Sequence, residues 1–154
     1  VYGKGDDTEN KSGGQMTDMR DATQSDLDYC RENSIDPQAK TFPDLQKSSW
    51  AKLAIFDGVI LGCGGCVVYW NGCAEGWFCL TKESQEHKVV TINAIRDVIE
   101  MAFKELKLHR MQVTERIDNP QSIKLVEYLG FKREGLMIKY APDGTDTYLY
   151  AMVK

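Results

Sequence analysis

The chain has no surplus of positive charge, little histidine and no long apolar run, and each shortage closes off a class of function. Nineteen Lys and Arg against 23 Asp and Glu leave a formal net charge of −4. That balance argues against a phosphate-binding nucleic-acid partner, which needs a basic face or stripe, and mildly favours a cationic acceptor. No apolar stretch approaches the roughly 20 residues that span a bilayer as a helix, and no charged-then-apolar leader opens the text. The expected location is therefore the cytoplasm, with neither membrane nor nucleic acid as partner.

Histidine occurs twice. This matters because four of the five cysteines, Cys63, Cys66, Cys73 and Cys79, crowd into strand-like sequence, with Cys30 apart. Cys63-x-x-Cys66 has knuckle spacing, but Cys73 and Cys79 are separated by five residues and no histidine completes a tetrahedral set before His87. Buried reduced thiols are the preferred reading, and no metal is expected. A thiol-rich metal or redox protein stands as a minor alternative.

What is present is the composition of an ordinary globular protein: 154 residues, 42% hydrophobic and 27% charged. A chain of that size buries roughly two-thirds of its unfolded surface as one domain. Residues 1–15, "VYGKGDDTENKSGGQ", are polar and aperiodic and start at Val1. They read as a disordered tail, an expression remnant or a fragment edge, leaving a single domain over 16–154.

"MTDMRDAT" reads as a short strand, and Ser25 as the N-cap of a helix carrying Leu27 and Cys30. Residues 35–49, with Pro37 and Pro43, are loop with one helical turn. "WAKLAIF", "VILGCGGCVVYW" and "EGWFCLT" follow as a three-strand meander turning at Asp57-Gly58 and Asn71-Gly72. Gly62, Gly64 and Gly65 weaken the middle strand unless a bulge or a close backbone approach requires them.

Residues 89–107 carry Ile95, Val98, Ile99, Ala102, Phe103 and Leu106 at helical spacing. After the strand "LHRMQVTE", Asn119 is a helix N-cap, Pro120 its first residue and Gly130 its stop. "FKREGLMIKY" and "DTYLYAMV" close the chain as a strand pair joined through Pro142-Asp143-Gly144. The order β, α, three β, α, β, α, β, β implies an α+β architecture: a mixed sheet with helices on both faces.

"AIRDVIEMAFKELKLHRMQV", Asn119-x-x-Ser122-Ile123, Leu129-Gly130-Phe131-x-x-Glu134-Gly135 and the ending "YAPDGTDTYLYAMV" together resemble the GCN5-related N-acetyltransferase (GNAT) superfamily. Within it they resemble the branch that acetylates N-terminal residues of ribosomal proteins. The resemblance covers residues 16–154. It implies a mostly antiparallel sheet of six to seven strands, splayed between "EGWFCLT" and "LHRMQVTE" to admit the pantetheine arm of acetyl-CoA. Unpaired strand groups would bond the pantetheine amides, and the next helix N-terminus would hold the pyrophosphate.

Two departures stand out. The family's Gly-x-Gly or Gly-x-Ala cradle is replaced by "ESQEHKVVTINA", with His87 and Val89 at the glycine positions and Glu86 at the arginine. A carboxylate there repels phosphate, which His87 and Lys88 partly offset as donors. Val126 stands where many members carry the tyrosine that protonates the leaving thiolate, and Tyr128, about 200° further round the helix, is no substitute. The ribosomal-protein branch often pairs an aliphatic residue there with serine at the position of Ser122.

Amide formation needs a neutral amine, so a carboxylate must take a proton from an ammonium of pKa about 8 to 10.4. The candidate bases are Glu75 and Glu115, each weighed against a solvated strand-end charge. The resemblance also implies an oxyanion donor from the backbone around Phe78, Cys79 and Leu80, and cofactor contacts from Asn119 and Ser122. Tyr140, Tyr148 and Tyr150 read chiefly as cross-strand packing.

The expected activity is acetyl transfer from acetyl-CoA to a primary amine of a protein, peptide or small molecule, by a monomer or homodimer. The alternative is a catalytically degenerate binding or structural module. The degraded loop beside "EYLGFKREG" and "YAPDGTD" is similar to acetyltransferase-like proteins of bacteriophages and prophages, which implies a bacterial host cytoplasm or a virion-associated role.

Overall fold

The computed structural model describes residues 17–46 and 49–154, so the expected tail over 1–15 lies outside the described residues. The elements are β1 (Asp18–Asp21), α1 (Gln24–Glu32), β2 (Ser49–Phe56), β3 (Val59–Trp70), β4 (Cys73–Leu80), α2 (Lys88–Glu105), β5 (Arg110–Arg116), α3 (Pro120–Tyr128), β6 (Lys132–Met137) and β7 (Thr147–Val153). Short 3-10 turns occupy Pro37–Thr41 and Lys82–His87. This is the order read from the sequence.

The strands form one sheet ordered β1-β2-β3-β4-β5-β7-β6. Three of its pairings, β1–β2, β5–β7 and β6–β7, are antiparallel, whereas β4 and β5 are parallel. A parallel neighbour needs a crossover, and α2 supplies it. No helix among the described residues is long and apolar enough to cross a membrane.

Two compact units share the chain, Val1–Gly65 with Phe78–Ile99 and Cys66–Trp77 with Glu100–Lys154. In the first, Ala54, Leu61 and Ala94 form a buried cluster, with Met19, Phe56 and Val90 packed against it. The Asp57-Gly58 turn has φ of 52° and 77°, the two positive values a type I′ hairpin requires. At Gly65 a Cβ would stand 2.0 Å from the Trp50 carbonyl oxygen and 2.7 Å from Ala51 Cα. Close backbone approach is thus what this glycine serves.

Helix α1 corrects one expectation. Its N-cap is Thr23, not Ser25: the Thr23 side chain accepts from Asp26 N, and Asp26 Oδ2 accepts from Thr23 N at 2.7 Å. The reciprocal pair satisfies two helix-start donors, which Ser25, already inside the first turn, does not. All five cysteines are reduced and buried. Burial pushes the Cys66 thiol up to about 11, and the Cys79 thiol to about 11 as well. Among the described residues no group of three or more His, Cys, Asp or Glu side chains is placed to hold a metal ion.

In the second unit β5 pairs with β7 over seven residues, Arg110↔Val153 to Arg116↔Thr147. Gly130, at φ +103°, ends α3 in the left-handed region that a side chain disfavours. Tyr150, 0% exposed, donates its hydroxyl hydrogen to Glu127 at 2.8 Å and accepts from Arg133 at 3.2 Å. Arg133 in turn lies 3.8 Å from the centre of the Tyr148 ring. Tyr148 and Tyr150 therefore tie α3 to the terminal hairpin and act as packing.

Candidate active site

The β4–β5 ladder holds three residue pairs, Cys73↔Arg110, Ala74↔Met111 and Glu75↔Gln112. β5 runs on to Arg116 with β7 on its other side. Along a strand, successive N–H and C=O groups point to alternate edges. Every second residue of 113–116 therefore turns its backbone groups toward the edge that β4 leaves after Glu75.

Beside this stretch α3 begins. Asn119 Oδ1 accepts from Ser122 N at 3.2 Å, and Pro120 at the first helical position gives up an N–H that would have had no helical partner. Ser122 Oγ donates to Glu115 Oε2 at 2.6 Å, a short charge-assisted hydrogen bond between half-buried side chains. The structure thus brings together three of the residues expected to act: Glu115, Asn119 and Ser122.

It keeps Glu75 apart from them. A Cβ on Gly76 would meet the Met111 and Val113 side chains at 3.0 and 3.3 Å, so Gly76 shares the sheet face of Met111 and Val113. Strand alternation puts Glu115 on that face and Glu75, paired with Gln112, on the opposite one. The two carboxylates cannot serve as one acid and base pair on a single face.

Glu75 has its own surroundings. Its Oε1 accepts from the Tyr69 hydroxyl at 2.8 Å. Tyr69 stacks at a tilt on Trp70, ring centres 5.8 Å apart. Burial, then the hydrogen bond to Glu75 and its charge, hold the Tyr69 phenol well above its ordinary pKa. Burial and the same carboxylate charge raise the Tyr140 phenol. Of the two guanidiniums on this side of β5, Arg110 is engaged by both oxygens of Glu134 at 2.7 and 3.1 Å, and Arg116 by Asp118 and Asp143.

Helix α2 starts differently from α3. It grows directly out of the 3-10 turn Lys82–His87, with Lys88 already in right-handed helical conformation. Thr81, 0% exposed, donates its hydroxyl hydrogen to the Ile60 carbonyl at 2.7 Å. Ser84 Oγ donates to the Thr81 carbonyl at 2.7 Å, and Thr91 Oγ1 donates to Ser84 O at 3.3 Å. His87 leans on Phe56, ring centres 5.2 Å apart. Phe56 and residues 85–90 line an open hollow of about 390 Å³, so His87 and Lys88 both border it, together with Glu86.

Phe78 and Leu80 are half-buried, while Cys79 is 2% exposed. The Leu80 carbonyl accepts from Ile35 N at 3.1 Å, and Ser34 hydrogen-bonds the Cys79 thiol. Cys79 is a buried structural thiol within its own unit. Two contributors had not been singled out from sequence: Tyr69, which holds Glu75, and Thr91, which ties α2 to the turn before it. Neither sits in a motif, so no local signal marks them.

The chain matches the acetyltransferase (GNAT) domain family model over residues 18–132. It is 30% identical over 82 residues to the uncharacterized N-acetyltransferase YnaD of Bacillus subtilis, covering 51% of this chain and 47% of that one. To the uncharacterized N-acetyltransferase p20 of Bacillus licheniformis it is 29% identical over 125 residues, 79% of this chain and 66% of that one. It thus spans about half the length of the first relative and about two-thirds of the second. A spermidine N-acetyltransferase SpeG variant from Vibrio cholerae has the same fold, with TM-score 0.74 at 15% identity over 89% of this chain and 93% of that one. Another SpeG structure, solved with manganese ions, gives 0.71 at 15% identity over 91% and 94%.

Proposed function

Because the chain belongs to the GNAT acetyltransferase family, we propose that it is an acetyl-CoA-dependent N-acetyltransferase that passes the acetyl group directly to a primary amine of a protein, peptide or small molecule. The observation that carries this reading is the Asn119–Ser122–Glu115 cluster, set beside the stretch of β5 that runs past the end of the β4 ladder.

Acetyl-CoA, when bound, supplies an acyl group activated as a thioester. The open edge of β5 suits its amide-bearing arm, since strand N–H and C=O groups there can pair with amides. Asn119 and Ser122 stand at the same end of β5. Within the other unit, His87 and Lys88 stand at the start of α2 as donors where the family carries its glycine cradle.

Ser122 Oγ holds a proton whose hydrogen bond runs to Glu115 Oε2. Glu115 orients that hydroxyl, which can hand its proton to the leaving thiolate while taking up the proton that the attacked nitrogen must lose as the tetrahedral intermediate collapses to the amide, the role a tyrosine would fill at Val126. Glu75, on the opposite face, accepts the proton that an incoming ammonium must lose. Phe78, Cys79 and Leu80 contribute backbone, not side-chain chemistry.

Ser122 combined with Val126 supports a finer placement in the branch that acts on ribosomal-protein N-termini. The SpeG neighbours act, by name, on spermidine, so a polyamine belongs beside such peptides in the acceptor panel. The likeness of "EYLGFKREG" and "YAPDGTD" to phage-encoded relatives supports a bacterial host cytoplasm as the setting. The test is acetyl-CoA-dependent release of free thiol over amines, polyamines and N-terminal peptides: turnover with one class is expected, and none with any of them would sink the transferase.

One observation favours a second reading. Glu86 borders the hollow at the start of α2, and Val89 there is 73% exposed where the family carries glycine. A module that has lost its phosphate cradle would keep the fold and bind no acetyl-CoA.

A further inference from the structure

Glu75 is a half-buried carboxylate held by one phenol, and among the described residues no Lys, Arg or His forms an ion pair with it. The guanidinium two residues from its cross-strand partner Gln112 is committed to Glu134. Tyr69, 45% exposed, donates to the carboxylate and stacks on Trp70, 65% exposed, and the carboxylate's charge acts on Tyr140, 53% exposed. The phenols of Tyr69 and Tyr140 keep their protons, so the rings stay neutral and the one formal charge of the cluster is negative.

We propose that Glu75, Tyr69, Trp70 and Tyr140 form a subsite for a primary alkylammonium, the charged end of the acceptor. This rests on the transferase reading above and sharpens it: the acceptor arrives as a cation, not as a neutral amine or an alcohol. The chemistry follows from the geometry. Tyr69 occupies Oε1, and a carboxylate keeps further lone pairs on its second oxygen for an N–H donor. Aromatic faces attract an ammonium through their quadrupoles, more strongly where water is partly excluded. Tyr69 is a positioning residue: it fixes the carboxylate and adds its own ring to the wall.

The test uses the full chain without acetyl-CoA, so its outcome is separate from that of the turnover assay. n-Propylammonium is titrated against the protein while the Tyr69 and Tyr140 ring resonances are followed by NMR, with 1-propanol as the neutral isostere. Saturable shifts with propylammonium and none with propanol are expected. Glu75→Gln, which keeps the shape and removes the charge, should weaken binding by about tenfold or more. Tyr69→Phe, which keeps the ring and removes the hydroxyl, should weaken it by a smaller factor. Equal response to propanol, no response to propylammonium, or unchanged binding in Glu75→Gln would overturn the subsite. Ammonium binding with no acetyl transfer to any amine would leave the subsite standing and remove the transferase.

Discussion

The starts of helices α3 and α2 face the same physical problem, four backbone N–H groups without helical partners, and solve it in opposite ways. α3 uses side chains: Asn119 caps Ser122 N, Pro120 removes one orphan donor, and Ser122 is left with a hydroxyl aimed at Glu115. α2 uses backbone: a 3-10 turn feeds straight into it, braced by Thr81, Ser84 and Thr91. The first solution frees polar side chains for chemistry. The second spends its polar groups inward and leaves His87 and Lys88 as the donors bordering the hollow there.

The contrast is tested most severely at Ser122. Ser122→Ala leaves the cap on Asn119 Oδ1 intact but removes the hydroxyl bonded to Glu115. Acetyl transfer should fall by roughly a hundredfold, the lower range for losing a positioned proton donor, while the melting temperature barely moves. A rate within a factor of about two would make the serine a first-turn residue and nothing more.

Asn119→Ala comes next. Loss of the cap should cost about 1 kcal/mol of stability, measured by urea unfolding. Acetyl-CoA affinity in the folded variant should weaken as well, by several-fold, if Asn119 also touches the donor. Unchanged affinity would reduce this residue to its capping role.

At α2 a change should improve function. Glu86 borders the hollow beside His87 and Lys88, so Glu86→Gln removes a charge that repels phosphate. A gain of about threefold in acetyl-CoA affinity at low salt is expected, shrinking as salt screens the site. No gain at any ionic strength would place the phosphates elsewhere.

The third helix start, at α1, predicts the smallest effect. Arg20 bonds both oxygens of Asp26 at 2.7 and 2.9 Å, and with the Thr23 bonds it holds that carboxyl down to about 2. A depressed carboxyl contributes stability that is fully present above its unfolded pKa near 3.9 and is lost as pH falls toward 2. Urea midpoints of wild type and Asp26→Asn should differ at pH 6 and converge toward pH 2. A constant gap across that range would contradict the assignment.

How much was legible divides along the same line. Asn119, Pro120 and Gly130 are letters with one strong backbone use each, so α3 was read with both its ends, and the element order followed from periodicity and turn residues. The cap of α1 was misplaced by two residues, because "DATQSD" offers several capping side chains and only the Thr23–Asp26 spacing closes a reciprocal pair.

The 3-10 entry to α2 has no composition signal, and its brace from Thr91 back to Ser84 is a tertiary choice. Glu75 was identifiable as a carboxylate near the expected cleft, but its face and its partner were not. Which side Tyr69 takes depends on the Asn71-Gly72 turn, where Gly72 has φ +86° and Asn71 is not positive. Those two letters equally suit the primed turn seen at Asp57-Gly58, whose register differs. Whether Glu75 and Glu115 could work together was likewise undecided until the β4–β5 register fixed their faces.

The most direct measurement is calorimetric titration of the folded chain with acetyl-CoA. If the β5 edge and the Asn119–Ser122–Glu115 cluster serve a transferase, saturable one-to-one binding below millimolar concentration is expected, weakened in Asn119→Ala. No heat of binding up to millimolar acetyl-CoA, from protein shown to be folded, would contradict the transferase and leave the degenerate module.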